Sequence, residues 1–273
     1  MRTILLHVED DASLEARMQC ALSLARATSG HVTCVHATPV EAYVAFDSFG
    51  GVFVMEKIME AIGEQEAAVR ARVEAKMGTE DVSWDYCQAT GSIPQVLLSY
   101  GALADIIISG RKHDGGKARA TGLGQLGDIV MKSRVPVLIP GDGAEFDPSG
   151  KAVIAWNDSY EAANAVRSSL PLLKLAASVE VLRFDEPAKQ ADERFPSTRL
   201  LEYLSRHDIH ADLKVDTIES GFVGEALIAS AVDGGASHMI LGGYGHSRIS
   251  EYLFGGVTRA VLEFSPVNLV IAH

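Results

Sequence analysis

What the chain has little of narrows its chemistry first. Cysteine occurs three times, at Cys20, Cys34 and Cys87, an odd number with no CxxC pair. A disulfide framework and a redox motif are therefore set aside, and the three read as reduced core residues. Basic residues are outnumbered, 24 Lys and Arg against 36 Asp and Glu, and the net charge of -12 repels nucleic acid and anionic membrane over most of the surface. No apolar run approaches a membrane span, and Met1-Arg2-Thr3-Ile4-Leu5-Leu6 is interrupted by His7 and Glu9 too early for a signal-peptide core. A cytoplasmic location is expected. The nine histidines are scattered without metal-ligand spacing, no GxxxxGK[ST] loop occurs, and Ser247 and Ser250 sit in no GxSxG elbow. No catalytic residue and no metal ligand is assigned.

What is present is an ordinary globular composition, 47% hydrophobic and 22% charged, over 273 residues, enough for two domains with real cores. Strand-like segments occur twice in the same order. Thr3 to Val8 matches Ala152 to Asn157, Val32 to Ala37 matches Ser178 to Phe184, and Val82 to Thr90 matches Asp212 to Ile218. Asp105 to Ser109 then matches His238 to Leu241, and Pro136 to Ile139 matches Asn268 to Ala272. Between them lie amphipathic stretches such as Leu14 to Thr28 and Glu161 to Leu173. Short apolar strands separated by helices imply an α/β fold with parallel sheets covered on both faces. The turn-forming stretch from Pro140 to Gly150 is the expected joint, dividing the chain into 1–145 and 146–273. The first unit has an additional aromatic loop, Ala42 to Phe53, before a charged helix from Met55 to Met77; it either closes over a ligand or packs against protein.

Two glycine pairs carry the functional signal: Gly242-Gly243-Tyr244-Gly245 after the strand Met239-Ile240-Leu241, and Gly255-Gly256-Val257-Thr258 opening a helix through Val261 and Leu262. Glycine permits positive φ and close backbone approach, and a helix start adds unpaired N–H donors, so strand, loop and helix together suit a phosphate. Turn glycines without a ligand are the alternative. A dinucleotide fingerprint belongs after the first strand of a unit, whereas this loop follows the fourth, which disfavours NAD.

The run Gly242, two residues, Gly245, nine residues, Gly255 resembles the ATP-binding signature of the universal stress protein family. The resemblance covers both units and implies a tandem member with two Rossmann-like, adenine nucleotide alpha hydrolase-like domains, each with a five-stranded parallel sheet. It implies ATP, alone or with Mg2+, as ligand, and a regulatory role in the stress response. Weak ATP hydrolysis at the same loop and a nucleotide-free interaction module remain as alternatives. Gly256 stands where the family usually has Ser or Thr, and Thr258 keeps a further family position. By the same resemblance Asn157, after Ala155 and Trp156, takes the place of an aspartate near the nucleoside, and Phe184 lines the base. Trp156 and Phe184 also fit a plain core role. His246 and Arg248 follow the loop, either reaching a phosphate or compensating charge. The family commonly pairs through its last strand, which implies that Pro136 to Ile139 and Val267 to Ile271 pair within the chain, with a homodimer as the alternative.

Aligned without gaps, Gly110 falls on Gly242, His113 on Gly245, Leu123 on Gly255, Gly124 on Gly256 and Leu126 on Thr258. Two of three signature glycines are gone, so the first unit is expected not to hold nucleotide. Its Arg111, Lys112, His113, Lys117 and Arg119 form a basic stretch, either an anion site or a solvated loop, and Glu9, Asp10 and Asp11 form an acidic cluster, either metal-binding or helix-capping.

Overall fold

The computed structural model describes residues 1–39, 52–111, 113–114, 117–118, 120–185, 195–218, 222–243 and 256–273. The first half runs β1 (Thr3–Val8), α1 (Leu14–Thr28), β2 (His31–Thr38), α2 (Val52–Met77), β3 (Ser83–Thr90), α3 (Ile93–Tyr100) and β4 (Ile106–Ile108). A hairpin of β5 (His113–Asp114) and β6 (Lys117–Ala118) then leads to α4 (Ala120–Lys132) and β7 (Val137–Ile139). The second half runs β8 (Lys151–Trp156), α5 (Tyr160–Ser168), α6 (Leu170–Leu173), β9 (Ser178–Asp185), α7 (Ser197–Ser205) and β10 (Ala211–Thr217). It ends with α8 (Val223–Asp233), β11 (His238–Gly242), α9 (Gly256–Phe264) and β12 (Asn268–Ala272). The aromatic loop lies outside the described residues, apart from the backbone of Val52 and Phe53.

The two sets of five strands join in one ten-stranded sheet, ordered β10-β9-β8-β11-β12-β7-β4-β1-β2-β3. Every neighbouring pair is parallel except β12 with β7, whose antiparallel register sets Leu269 opposite Ile139 and Ile271 opposite Val137. Each half is thus wound in the Rossmann-like manner, with its first strand third from the outer edge, and the strands of the two halves point in opposite directions. The burial of each strand follows its place. The central β4, β7 and β12 are buried at every residue, whereas β10, at the edge, exposes most of its length.

Alternation along the strands feeds two apolar layers that continue across both halves. Ile4, Leu6, Ile154, Ile240 and Val270 meet α1, α2, α5 and α7 through residues such as Met18, Val73, Ala162 and Leu204. Leu5, Ile107, Val153, Met239 and Ile271 face the other way, against α3, α4, α8 and α9 through Leu97, Ile129, Leu227 and Val261. The expected single helix from Glu161 to Leu173 is interrupted at Ser169. Pro171 has no N–H to donate to Arg167, so the ladder breaks and a second short helix begins.

The joint is packed. Gly141 N donates to Asn268 Oδ1 (3.0 Å), and Asn268 Nδ2 donates to Glu145 O (3.2 Å) and Ser237 O (2.8 Å). A Cβ on Gly141 would overlap the carbonyl of Pro266, so the chain passes there only as glycine. Phe146 is buried and meets the ring of His238 edge-on. Cys20 and Cys34 are buried thiols with pKa pushed up to about 12 by burial, and Cys87 is a half-buried free thiol.

Candidate functional site

In the second half the chain leaves β8 for β9 on one side and returns to β11 on the other, so winding reverses between β8 and β11. Open α/β sheets take ligands in the crevice beyond such strand ends. Four expected site residues are positioned by β8 and β9. Ala155 and Trp156 close β8 with buried side chains, and Trp156 Nε1 donates to Phe195 O (3.2 Å), which makes its ring part of the core. Asn157, next in sequence, is exposed at the strand end, and its Oδ1 accepts from Ser159 Oγ (2.7 Å). Ser159 in turn caps α5 by accepting from Ala162 N (3.1 Å). Phe184, near the end of β9, is half-buried and packs on the layer that holds α8 and α9.

Gly242 ends β11 and Gly243 follows it, and here the expected reason for glycine is corrected. Neither takes positive φ, nor does Gly256. A Cβ on Gly242 would overlap the backbone of Glu161 and Ala162 in the first turn of α5, so glycine serves close helix-to-strand packing there. Gly243 N donates to Ala272 O (2.9 Å), and Gly243 O accepts from His273 Nδ1 (2.9 Å). That amide belongs to the sheet. Gly256 opens α9 with no described residue where a side chain would sit, Val257 is exposed, and Thr258 is buried on the face shared with Val261 and Leu262. Gly245, His246, Arg248 and Gly255 lie outside the described residues.

The matching crevice of the first half, between β1 and β4, holds a residue that sequence reasoning missed. Arg17 is 0% exposed. Its Nε donates to His7 O (2.9 Å), Nη2 to Glu9 O (3.1 Å), and Nη1 to Asp11 Oδ1 (2.9 Å), Asp11 Oδ2 (3.0 Å) and Ser13 Oγ (3.2 Å). A Cβ on Gly110 would overlap Nη1. The guanidinium therefore fills the space between α1, the end of β1 and Gly110, and beside it a cavity of about 10 Å³, lined by His7, Ser109, Gly110 and Gln125, has room for one water. Asp11 holds the start of α1, its Oδ1 accepting from the N-cap residue Ser13 through N (2.8 Å) and Oγ (3.1 Å), and it also neutralises Arg17; among the described residues no metal cluster includes it. Counted from the strand ends, Arg17 is nine residues after Val8, and nine after Trp156 stands Ala165. Among the described residues, the second half's guanidinium at its strand ends comes instead from β9, where Arg183 meets Asp158 and Asp185.

The basic stretch also needs correction, because Arg111 is not a solvated loop residue. It is 2% exposed and its side chain crosses to the second half. Nη1 donates to Leu262 O (3.2 Å), and Nη2 to Ser265 O (2.9 Å) and Pro140 O (2.9 Å). Burial lowers its pKa, with the charge of Asp142 opposing. Lys112 and Arg119 lie outside the described residues. A further unforeseen pair, Asp158 with positive φ and Arg183 from β9, meets at 3.1 Å next to Asn157. Arg17 left a sequence signal, an arginine on the stripe formed by Leu14, Met18 and Ala21; Arg111 and Arg183 left none.

No family model matches the sequence, and no curated protein matches it. Solved structures do. A universal stress protein from Archaeoglobus fulgidus aligns with 98% of this chain and 95% of its own, with TM-score 0.72 and 14% identity. A candidate universal stress protein from Pseudomonas aeruginosa aligns with 100% and 93%, with TM-score 0.64 and 15% identity. A functionally unknown protein from the same species aligns with 100% and 92%, with TM-score 0.63 and 14% identity. Over nearly its full length, this chain has the fold of the universal stress proteins.

Proposed function

We propose that this chain is a cytoplasmic, regulatory adenine-nucleotide-binding protein of the universal stress type, with ATP held by residues 146–273 and residues 1–145 as a partner domain without nucleotide. The reading rests on the Gly242, Gly245, Gly255 spacing placed on this fold. The observation that carries it is the asymmetry of the two crevices. Arg17 packs a fully buried cation against the first half's strand ends, while the second has Ala165 at that position and an Arg183 held aside on β9 by Asp158 and Asp185. In this reading the amides of the loop and the start of α9 face the phosphates, Asn157 meets the nucleoside, and Phe184 borders the base. Pairing of β7 with β12 would then be the internal form of a domain pair.

Titration calorimetry with ATP and with NAD tests it. One ATP per chain, no heat with NAD, and loss of binding in Gly245→Val are the expected results; silence with ATP overturns the proposal. One observation favours a second reading, a nucleotide-free interaction module: the Gly243 amide is taken by Ala272, and the Thr258 side chain is buried. Protein that neither co-purifies with nucleotide nor binds it would support that reading.

A further inference from the structure

Arg111 follows Gly110 at the end of β4, yet it holds the far end of α9, the helix that begins beside the second half's glycine loop. Three carbonyls accept from its fork, two of them at the C-terminal end of α9, where the helix dipole favours a cation. Its own carbonyl accepts from Ser13 Oγ (3.2 Å), and that oxygen accepts from Arg17 Nη1 (3.2 Å). An unbroken hydrogen-bonded path therefore joins α9 to the ends of β1 in the first half, through His7 O and Glu9 O. The geometry of the sheet makes the path direct. α9 crosses from the end of β11 to the start of β12, roughly 14 Å at 1.5 Å per residue. Because the halves run antiparallel, its end arrives at the rim where the first half's strands finish.

We infer that Arg111 is a positioning residue that couples nucleotide occupancy at the start of α9 to the strand ends of the first half. The inference rests on the nucleotide reading above. A phosphate against the first turn of α9 restrains a rigid helix, and the restraint reaches the carbonyls that Arg111 grips. Coupling of this kind is reciprocal, so loosening Arg111 weakens the nucleotide by the same factor by which the nucleotide steadies the first half.

Hydrogen exchange on the full chain with Mg·ATP tests this, in wild type and in Arg111→Lys and Arg111→Met. In wild type, ATP is expected to slow exchange in 256–264 and also in 5–17 and 106–111. In both variants the first-half effect disappears while 256–264 still responds, and ATP affinity falls about tenfold. Protection confined to the second half in wild type overturns the coupling while leaving the nucleotide reading intact. Persistence of first-half protection in a folded variant assigns the coupling to another route and overturns the role of Arg111. Absence of ATP binding in calorimetry overturns the nucleotide reading and this coupling together. If neither variant folds, the wild-type comparison decides.

Discussion

His238 is 0% exposed at the start of β11, and neither ring nitrogen has a hydrogen-bond partner. Burial lowers its pKa from 6.5 to about 4, with the charge of Asp147 opposing. The unfolded chain therefore binds the proton more readily between these values. Stability from this group is complete above about pH 6.5 and is lost as pH falls toward 4, by about 3 kcal/mol in total. Urea unfolding at pH 7.5, 6 and 5 should show that slope reduced in His238→Leu relative to wild type; an unchanged slope would remove His238 as its source. Gly242 supports a second prediction at this scale. A methyl group there meets the backbone of α5, which cannot swing aside as a side chain would, so Gly242→Ala should destabilise by about 3 kcal/mol in the same assay. Gly256→Ser meets no described residue and should leave stability within about 1 kcal/mol. If the proposed nucleotide reading holds, calorimetry should show ATP tightened severalfold in this variant, since it restores the hydroxyl that the resembled family usually carries.

Helix α1 is held to β1 by Arg17 as much as by its apolar stripe. Arg17→Met removes the cation from Asp11, which is 20% exposed at the side chain, and frees the carbonyls of His7 and Glu9. A loss of about 3 kcal/mol is expected in denaturant unfolding; a neutral outcome would show that packing alone holds the helix. Elements of this kind were the legible part of the sequence. The apolar runs of the central strands set their limits to within a residue or two, because burial on both faces fills their interiors with apolar residues, His7 in β1 excepted. The break at Ser169 was missed because the apolar period continues through Pro171, and only the missing amide interrupts it. The site was half legible. Glycine spacing pointed to a loop that lies outside the described residues, and it did not show that Gly242 serves helix packing or that the Gly243 amide pairs with Ala272, since both depend on contacts distant in sequence. A charged run such as 111–119 reads as solvated in one dimension, and nothing local shows that Arg111 turns inward.

At the scale of the whole molecule, the sheet and both apolar layers pass through the junction of β7 and β12 without interruption. The chain has two tryptophans, Trp84 in β3 and Trp156 in β8, one reporter for each half. Fluorescence unfolding of Trp84→Phe and Trp156→Phe should give coincident midpoints once each variant is corrected for its own stability by circular dichroism. Separate transitions would mean that the junction transmits little. Among the described residues no helix is long and apolar enough to cross a membrane.

The antiparallel junction also gives the molecule a front and a back. Strand ends of the second half finish on one rim and those of the first half on the opposite rim, so Asn157 and the buried guanidinium of Arg17 look away from each other. If the proposed nucleotide is bound, a partner resting on the first half's rim leaves it free to come and go on the other, and such a partner would sense its arrival only through the body of the protein.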